Sequence, residues 1–171
     1  MIRIILILCI TTLSGCATTL ETVYVPTENS GWKVGYGTNK LGTTIIEYIP
    51  SNESIDNWSK LLTIQLLEGK NRSPLLFMED LKTRMQVRCP GSFWNIIKQD
   101  STSTLYEWKI ADCGDNPNQH EIARLLKGND ALHRIAYTAI TQITETERAK
   151  WLKAFSEAYV EKSGQRVIVN P

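Results

Sequence analysis

The chain has almost no net charge. Its 171 residues carry 19 Lys and Arg against 18 Asp and Glu, so it lacks the basic excess that neutralises phosphates in a nucleic-acid binder. It has two histidines and four cysteines, and neither falls in a CxxC or HExxH spacing. No GxSxG, P-loop or GxGxxG stretch occurs. No apolar run reaches the roughly eighteen residues that a membrane-spanning helix takes. Repeats and low-complexity segments are absent too. What is present is ordinary globular composition, 42% hydrophobic and 22% charged, in a length that suits one domain with a sizeable core.

The N-terminus is the most informative stretch. Met1-Ile2-Arg3 supplies one positive charge. Residues 4–13 form an apolar run of ten in which only Thr11 and Thr12 are polar. At a rise of about 1.5 Å per residue this covers about 15 Å, half a bilayer core, as the apolar region of a signal peptide does. Leu13-Ser14-Gly15-Cys16 follows. Over these sixteen residues the chain closely resembles bacterial lipoproteins, whose lipobox all four positions match. The resemblance implies diacylation of the Cys16 sulfur, cleavage before it and acylation of the new amine. The alternatives are an ordinary signal peptide with a chance cysteine, or a short buried helix.

The organisation expected from this is a signal peptide over 1–15, a lipidated tether over 16–31, one domain over 32–164 and a tail over 165–171. The expected partner is a lipid bilayer, reached through acylated Cys16. Loss of Arg3 with the signal leaves 18 basic and 18 acidic side chains, so the body has no net charge to hold it against anionic lipid. Ala17 stands where, by the same resemblance, an aspartate would favour the inner membrane. The expected location is therefore the outer membrane, facing the periplasm.

Cys9 leaves with the signal and Cys16 takes lipid, which leaves Cys89 and Cys113. In an oxidising compartment an even pair is a disulfide by default. Closing a loop of about 25 residues contributes roughly 3 kcal/mol on the chain-entropy account. A metal site is the rival reading, but Cys89-Pro90-Gly91 has neither a second nearby cysteine nor a histidine.

Within the tether, Val23-Tyr24-Val25-Pro26 suits a sheet edge. Trp32, Val34 and Tyr36 alternate with Lys33, Gly35 and Gly37 in the period of a half-buried strand. Asn39-Lys40-Leu41-Gly42 turns the chain into a second strand over 43–49. Residues 59–68 read as a strand with Leu62, Ile64 and Leu66 on one face and Leu61, Thr63, Gln65 and Leu67 on the other, although a helix fits the same leucines. Ser73-Pro74 opens a helix on which Leu75, Met78, Leu81, Met85 and Cys89 share a face. Strands are expected over 93–98 and 105–113, the second with Tyr106, Trp108 and Ile110 alternating with Glu107 and Lys109. Residues 121–127 and 132–140 flank Gly128-Asn129-Asp130 as another hairpin. Thr144 and Glu147 form a capping box for a last helix over 145–160, with Trp151, Leu152, Phe155, Ala158 and Tyr159 on one face. The fold class is α+β, an antiparallel sheet of about six to seven strands covered by two main helices.

Chemistry is harder to find. His120 and His133 flank the Gly128 hairpin and read as an exposed pair on strands. As a metal or acid/base pair they are too few for a catalytic zinc. The acidic groups at the helix starts are explained by capping and the helix dipole. Trp58, among polar residues, is either a lid over one end of the core or, with Tyr48, a stacking platform for a sugar or peptide. No catalytic residue, metal or cofactor is expected. Glu47-Tyr48-Ile49-Pro50, Asn57-Trp58 leading into residues 61–65, and the closing helix with Trp151 loosely resemble, over 43–160, small exported proteins of the PsbP-like α/β/α sandwich type. That resemblance implies a binding or scaffold domain, and for a domain displayed in the periplasm the candidate partner is an envelope protein. The alternatives are an accessory subunit of a secretion or conjugation complex, and an envelope-acting hydrolase.

Overall fold

The computed structural model describes residues 21–27, 30–69, 72–114 and 116–162. Along the chain these form β1 (Glu21–Tyr24), β2 (Trp32–Lys40), β3 (Thr43–Pro50), β4 (Lys60–Glu68), α1 (Pro74–Arg88), β5 (Phe93–Gln99), β6 (Ser103–Ile110), β7 (Gln119–Lys127), β8 (Ala131–Ala139), α2 (Glu145–Glu157) and β9 (Tyr159–Lys162). Seven strands make one antiparallel sheet in the order β2-β3-β4-β8-β7-β6-β5, and β1 and β9 pair separately. The expected antiparallel sheet with two helices is present. Of the segment 59–68, residues 60–68 are strand rather than helix, placed between β3 and β8.

Strand periodicity sorts the core into two layers. Leu62, Leu105, Ile122, Ile135 and Tyr137 pack with Trp151, Ala154 and Phe155 of α2. Leu67, Tyr106, Trp108, Leu125 and Leu132 pack with Met78 of α1 and with Cys89. Each helix therefore covers its own face of the sheet. Aromatic rings concentrate in both layers. Trp151 stacks on Tyr137 at 4.5 Å between ring centroids and meets Trp32 edge-on at 6.3 Å. On the opposite face Trp94 stacks on Trp108 at 5.6 Å. Such pairs add about 0.5–1.5 kcal/mol beyond the area they bury.

Local chemistry sets the ends of the elements. Ser73 accepts the Leu76 N–H, and Pro74 opens α1 where its missing N–H costs nothing. Cys89 follows the last turn and is joined to Cys113 by the expected disulfide, which ties the end of α1 to the loop after β6. Thr144 and Glu147 form the expected capping box. Leu41 and Gly42, with φ of 51° and 74°, make a two-residue turn in which both residues are left-handed, the signature of a type I′ hairpin. Glycine takes that conformation freely. For Leu41 it costs about 1–2 kcal/mol.

Three expectations are corrected. The folded body starts by Glu21 rather than Trp32, because β1, in the stretch assigned to the tether, pairs with β9 and buries Glu21. The last helix ends at Glu157, not 160. Ala158 is extended (φ −65°, ψ 146°), and Arg124 on β7 donates to the carbonyls of Ser156 and Ala158 at 3.0 and 3.1 Å, which satisfies the helix end. Tyr159 accordingly leaves the helix face. It is 48% exposed and meets the Tyr24 ring at a tilt, with centroids 5.1 Å apart. The expected signal peptide over 1–15, Cys16 and the expected tail over 165–171 lie outside the described residues. Among the described residues no helix is long and apolar enough to cross a membrane.

Phe155 is fully buried against Trp151 and the sheet. Phe155→Ala should lower stability by about 3–5 kcal/mol, the usual cost of emptying a buried aromatic site. A denaturant melt checks this through the unfolding midpoint. An unchanged midpoint would show that this side chain does not hold α2 to the sheet.

Candidate functional site

Ionisable side chains inside a sheet are where chemistry would be expected, since burial shifts their proton affinity. Strands β6, β7 and β8 are covered on both faces and nevertheless carry Glu107, His120, Glu121, His133 and Arg134. Each has to be matched, because an unpaired buried charge is strongly destabilising.

Glu107 points to the α2 face. Its carboxylate accepts Arg148 Nε at 3.0 Å on one oxygen and Arg148 Nη2 at 2.9 Å on the other. His120 lies 2.7 Å away through Nε2. The Ile143 N–H donates to His120 Nδ1 at 2.9 Å, so Nδ1 is the acceptor and Nε2 carries the proton that goes to Glu107. The imidazole is thereby held as one neutral tautomer with both nitrogens engaged. Burial opposes the charge on Glu107, but the Arg148 and His120 hydrogen bonds outweigh it and bring its pKa below the usual carboxylate value. Burial lowers the pKa of His120, and the bond to Glu107 restores only part of it. Next to this group, the Lys60 ammonium and the Thr144 and Tyr137 hydroxyls bring Glu147 down to about 2.

On the α1 face Glu121 accepts three donors: Trp108 Nε1 at 2.6 Å, Thr138 Oγ1 at 2.9 Å and Arg134 Nη2. Arg134 Nε reaches the Tyr106 hydroxyl at 3.3 Å. At the end of the sheet Glu21 accepts the backbone N–H groups of Asn129 and Asp130 at 2.7 and 3.2 Å, and His133 Nε2 lies 3.4 Å from it. A Cβ on Gly128 would collide with that carboxylate, so a side chain there would push Glu21 off the turn N–H groups. Glu47 on β3 differs. It is half-buried, no hydrogen bond to its carboxylate is made among the described residues, and burial raises its pKa against the charge of Arg134.

His120 and His133 are not the exposed facing pair that the sequence suggests. They are 2% and 1% exposed, and they pair with Ala139 and Leu126 towards opposite ends of the hairpin. Their shared face is covered by α2 and by the β1–β9 pair, a cover that local alternation does not reveal. Alternation in β6 likewise places Glu107 on a polar face, but α2 covers that face. Tyr48 sits on β3 between Val34 and Leu62 and packs against the α2 layer. Trp58 stands half-buried in the loop before β4, and no ring contact joins it to Tyr48 among the described residues. A cleft of about 440 Å³ opens beside the disulfide, lined by Arg88, Cys89, Ser92, Asp112, Cys113 and Asn116. It holds no histidine and none of the buried carboxylates. No protein-family model matches the chain, and no curated protein matches it.

These pairings fix a pH dependence. His120 and His133 both titrate below the ordinary histidine value of 6.5 in the folded protein. The unfolded chain therefore takes up protons first as pH falls through about 6.5, and stability drops. Glu107 and Glu21 titrate below their ordinary value of 4.5, so their contribution is present above about 4.5 and lost below it. The two effects have the same sign. Denaturant midpoints should be flat above about pH 7 and decline below it, with the upper part of the decline reduced in His120→Asn. A midpoint at pH 5.5 equal to that at pH 7.5 would contradict the assignment.

Proposed function

We propose that the protein is a membrane-anchored bacterial lipoprotein that presents a non-enzymatic binding or scaffold domain in the cell envelope. The observation that carries this reading is Leu13-Ser14-Gly15-Cys16 directly after the ten-residue apolar run. Two acyl chains hold a soluble domain stably at a bilayer, since each buried CH₂ contributes about 0.8 kcal/mol. Ala17 supports the outer membrane as the destination, with the domain facing the periplasm. The clusters around Glu107, Glu121 and Glu21 support a non-catalytic domain, because every one of these carboxylates is bonded to partners that hold helix, strand or turn in place. The PsbP-like resemblance belongs to the same reading, with one helix against each face as its α/β/α layering.

A role as an accessory subunit of an envelope complex is favoured by one further observation. The edge strand β5 exposes Phe93 and Ile96 and, among the described residues, has a neighbour on one side only, which suits pairing with another protein's strand.

Cys16→Ser tests the anchor. The variant should leave the membrane fraction after a carbonate wash, whereas the unaltered protein stays and bands with outer membranes on a sucrose gradient. Retention of the variant would refute lipid anchoring through Cys16.

A further inference from the structure

Register places four features at one end of the sheet. Thr43 pairs with Leu67, Glu68 with Ala131, and Lys127 with Leu132. The β2–β3 turn and the β7–β8 turn therefore lie at the same end, and the Gly69 N–H donates to the Asp130 carbonyl there at 3.2 Å. Glu21 is fixed to that end as well, through the N–H groups of Asn129 and Asp130. Three strand spacings of about 4.8 Å separate the two turns, or about 14 Å.

The fourth feature is Leu41. It is fully exposed and holds the first position of a two-residue turn with positive φ at both residues, where Asn, Asp or Gly is the ordinary choice. A leucine here gains no burial within the chain and adopts a conformation that disfavours its own side chain. The turn needs the left-handed backbone but not a leucine in it, and a fully exposed leucine at such a position points to a contact outside the fold.

The chain length supplies that contact. Cys16 precedes Glu21 by five residues, a span of at most about 17 Å when fully extended. A lipid on Cys16 thus keeps this end of the sheet within one headgroup layer or so of the acyl chains. We infer that the end of the sheet bearing the β2–β3 turn lies against the bilayer, with the Leu41 side chain inserted at the boundary of headgroups and acyl chains. This rests on the lipidation of Cys16 proposed above. The exposed charges here are mixed, with Lys40, Arg72 and Lys127 against Glu68 and Asp130, so the apolar side chain and the anchor direct the contact. The disulfide cleft and Trp58, at the far ends of β6 and β4, then face away from the membrane.

The test uses the lipidated full chain in phosphatidylcholine–phosphatidylglycerol vesicles. Leu41→Cys and, at the opposite end, Asp56→Cys each carry a nitroxide attached without reducing the disulfide. Flotation with the vesicles reads the anchor, and power saturation with oxygen and a water-soluble nickel chelate reads depth. The expected result is flotation of both proteins, with oxygen collisions exceeding nickel collisions at position 41 by several-fold and the reverse at position 56. Flotation with nickel-dominated collisions at position 41 would overturn the orientation and leave the anchor standing. Failure to float would overturn both.

Discussion

The carboxylate of Glu107 sets the terms for half of the molecule. It is inserted into a sheet face that α2 closes, where a lone negative charge is strongly disfavoured. Arg148 from the first turns of α2 and His120 from β7 both donate to it. His120 is in turn fixed by the Ile143 N–H, just before the helix cap. The first turn of α2 thus has little freedom to settle elsewhere on the sheet. At its other end the helix is held by Arg124, which takes up its last carbonyls. Between the two clamps Trp151 and Phe155 fill the layer below. A purely apolar interface would allow the helix to slide, whereas these directional contacts specify a single seat.

The same logic closes the lower end of the sheet. Glu21 caps two N–H groups of the β7–β8 turn and so welds the first described strand to the hairpin at the centre of the sheet. The small β1–β9 pair brings the two ends of the described chain together over that hairpin. The proposed lipid site at Cys16 lies only five residues before Glu21.

Much of this was legible in the sequence. The Thr144–Glu147 box, the Ser73-Pro74 start and the hairpins at Leu41-Gly42 and Gly128 rest on short-range chemistry, which a local reading captures, and the pairing of Cys89 with Cys113, 24 residues apart, follows from the cysteine count. What local reading missed is long-range cover. Alternation in β6 puts Glu107 on a wet face, and β7 and β8 interleave apolar residues with His120, Glu121, Arg124, His133 and Arg134, so neither strand shows locally that both of its faces are covered. The β1–β9 pair joins residues more than a hundred positions apart, so neither segment announces its partner. The helix end at Glu157 depends on Arg124, which no local pattern contains.

The claim that Glu107 seats α2 is tested most directly by a double-mutant cycle of Glu107→Gln and Arg148→Met, read as free energies of unfolding in denaturant. The account predicts that the two changes are far from additive. Once Glu107 is gone, losing Arg148 should cost little more, with a coupling energy of about 1–3 kcal/mol, as for residues in direct contact. Additivity within about 0.3–0.5 kcal/mol, the behaviour of independent sites, would contradict it.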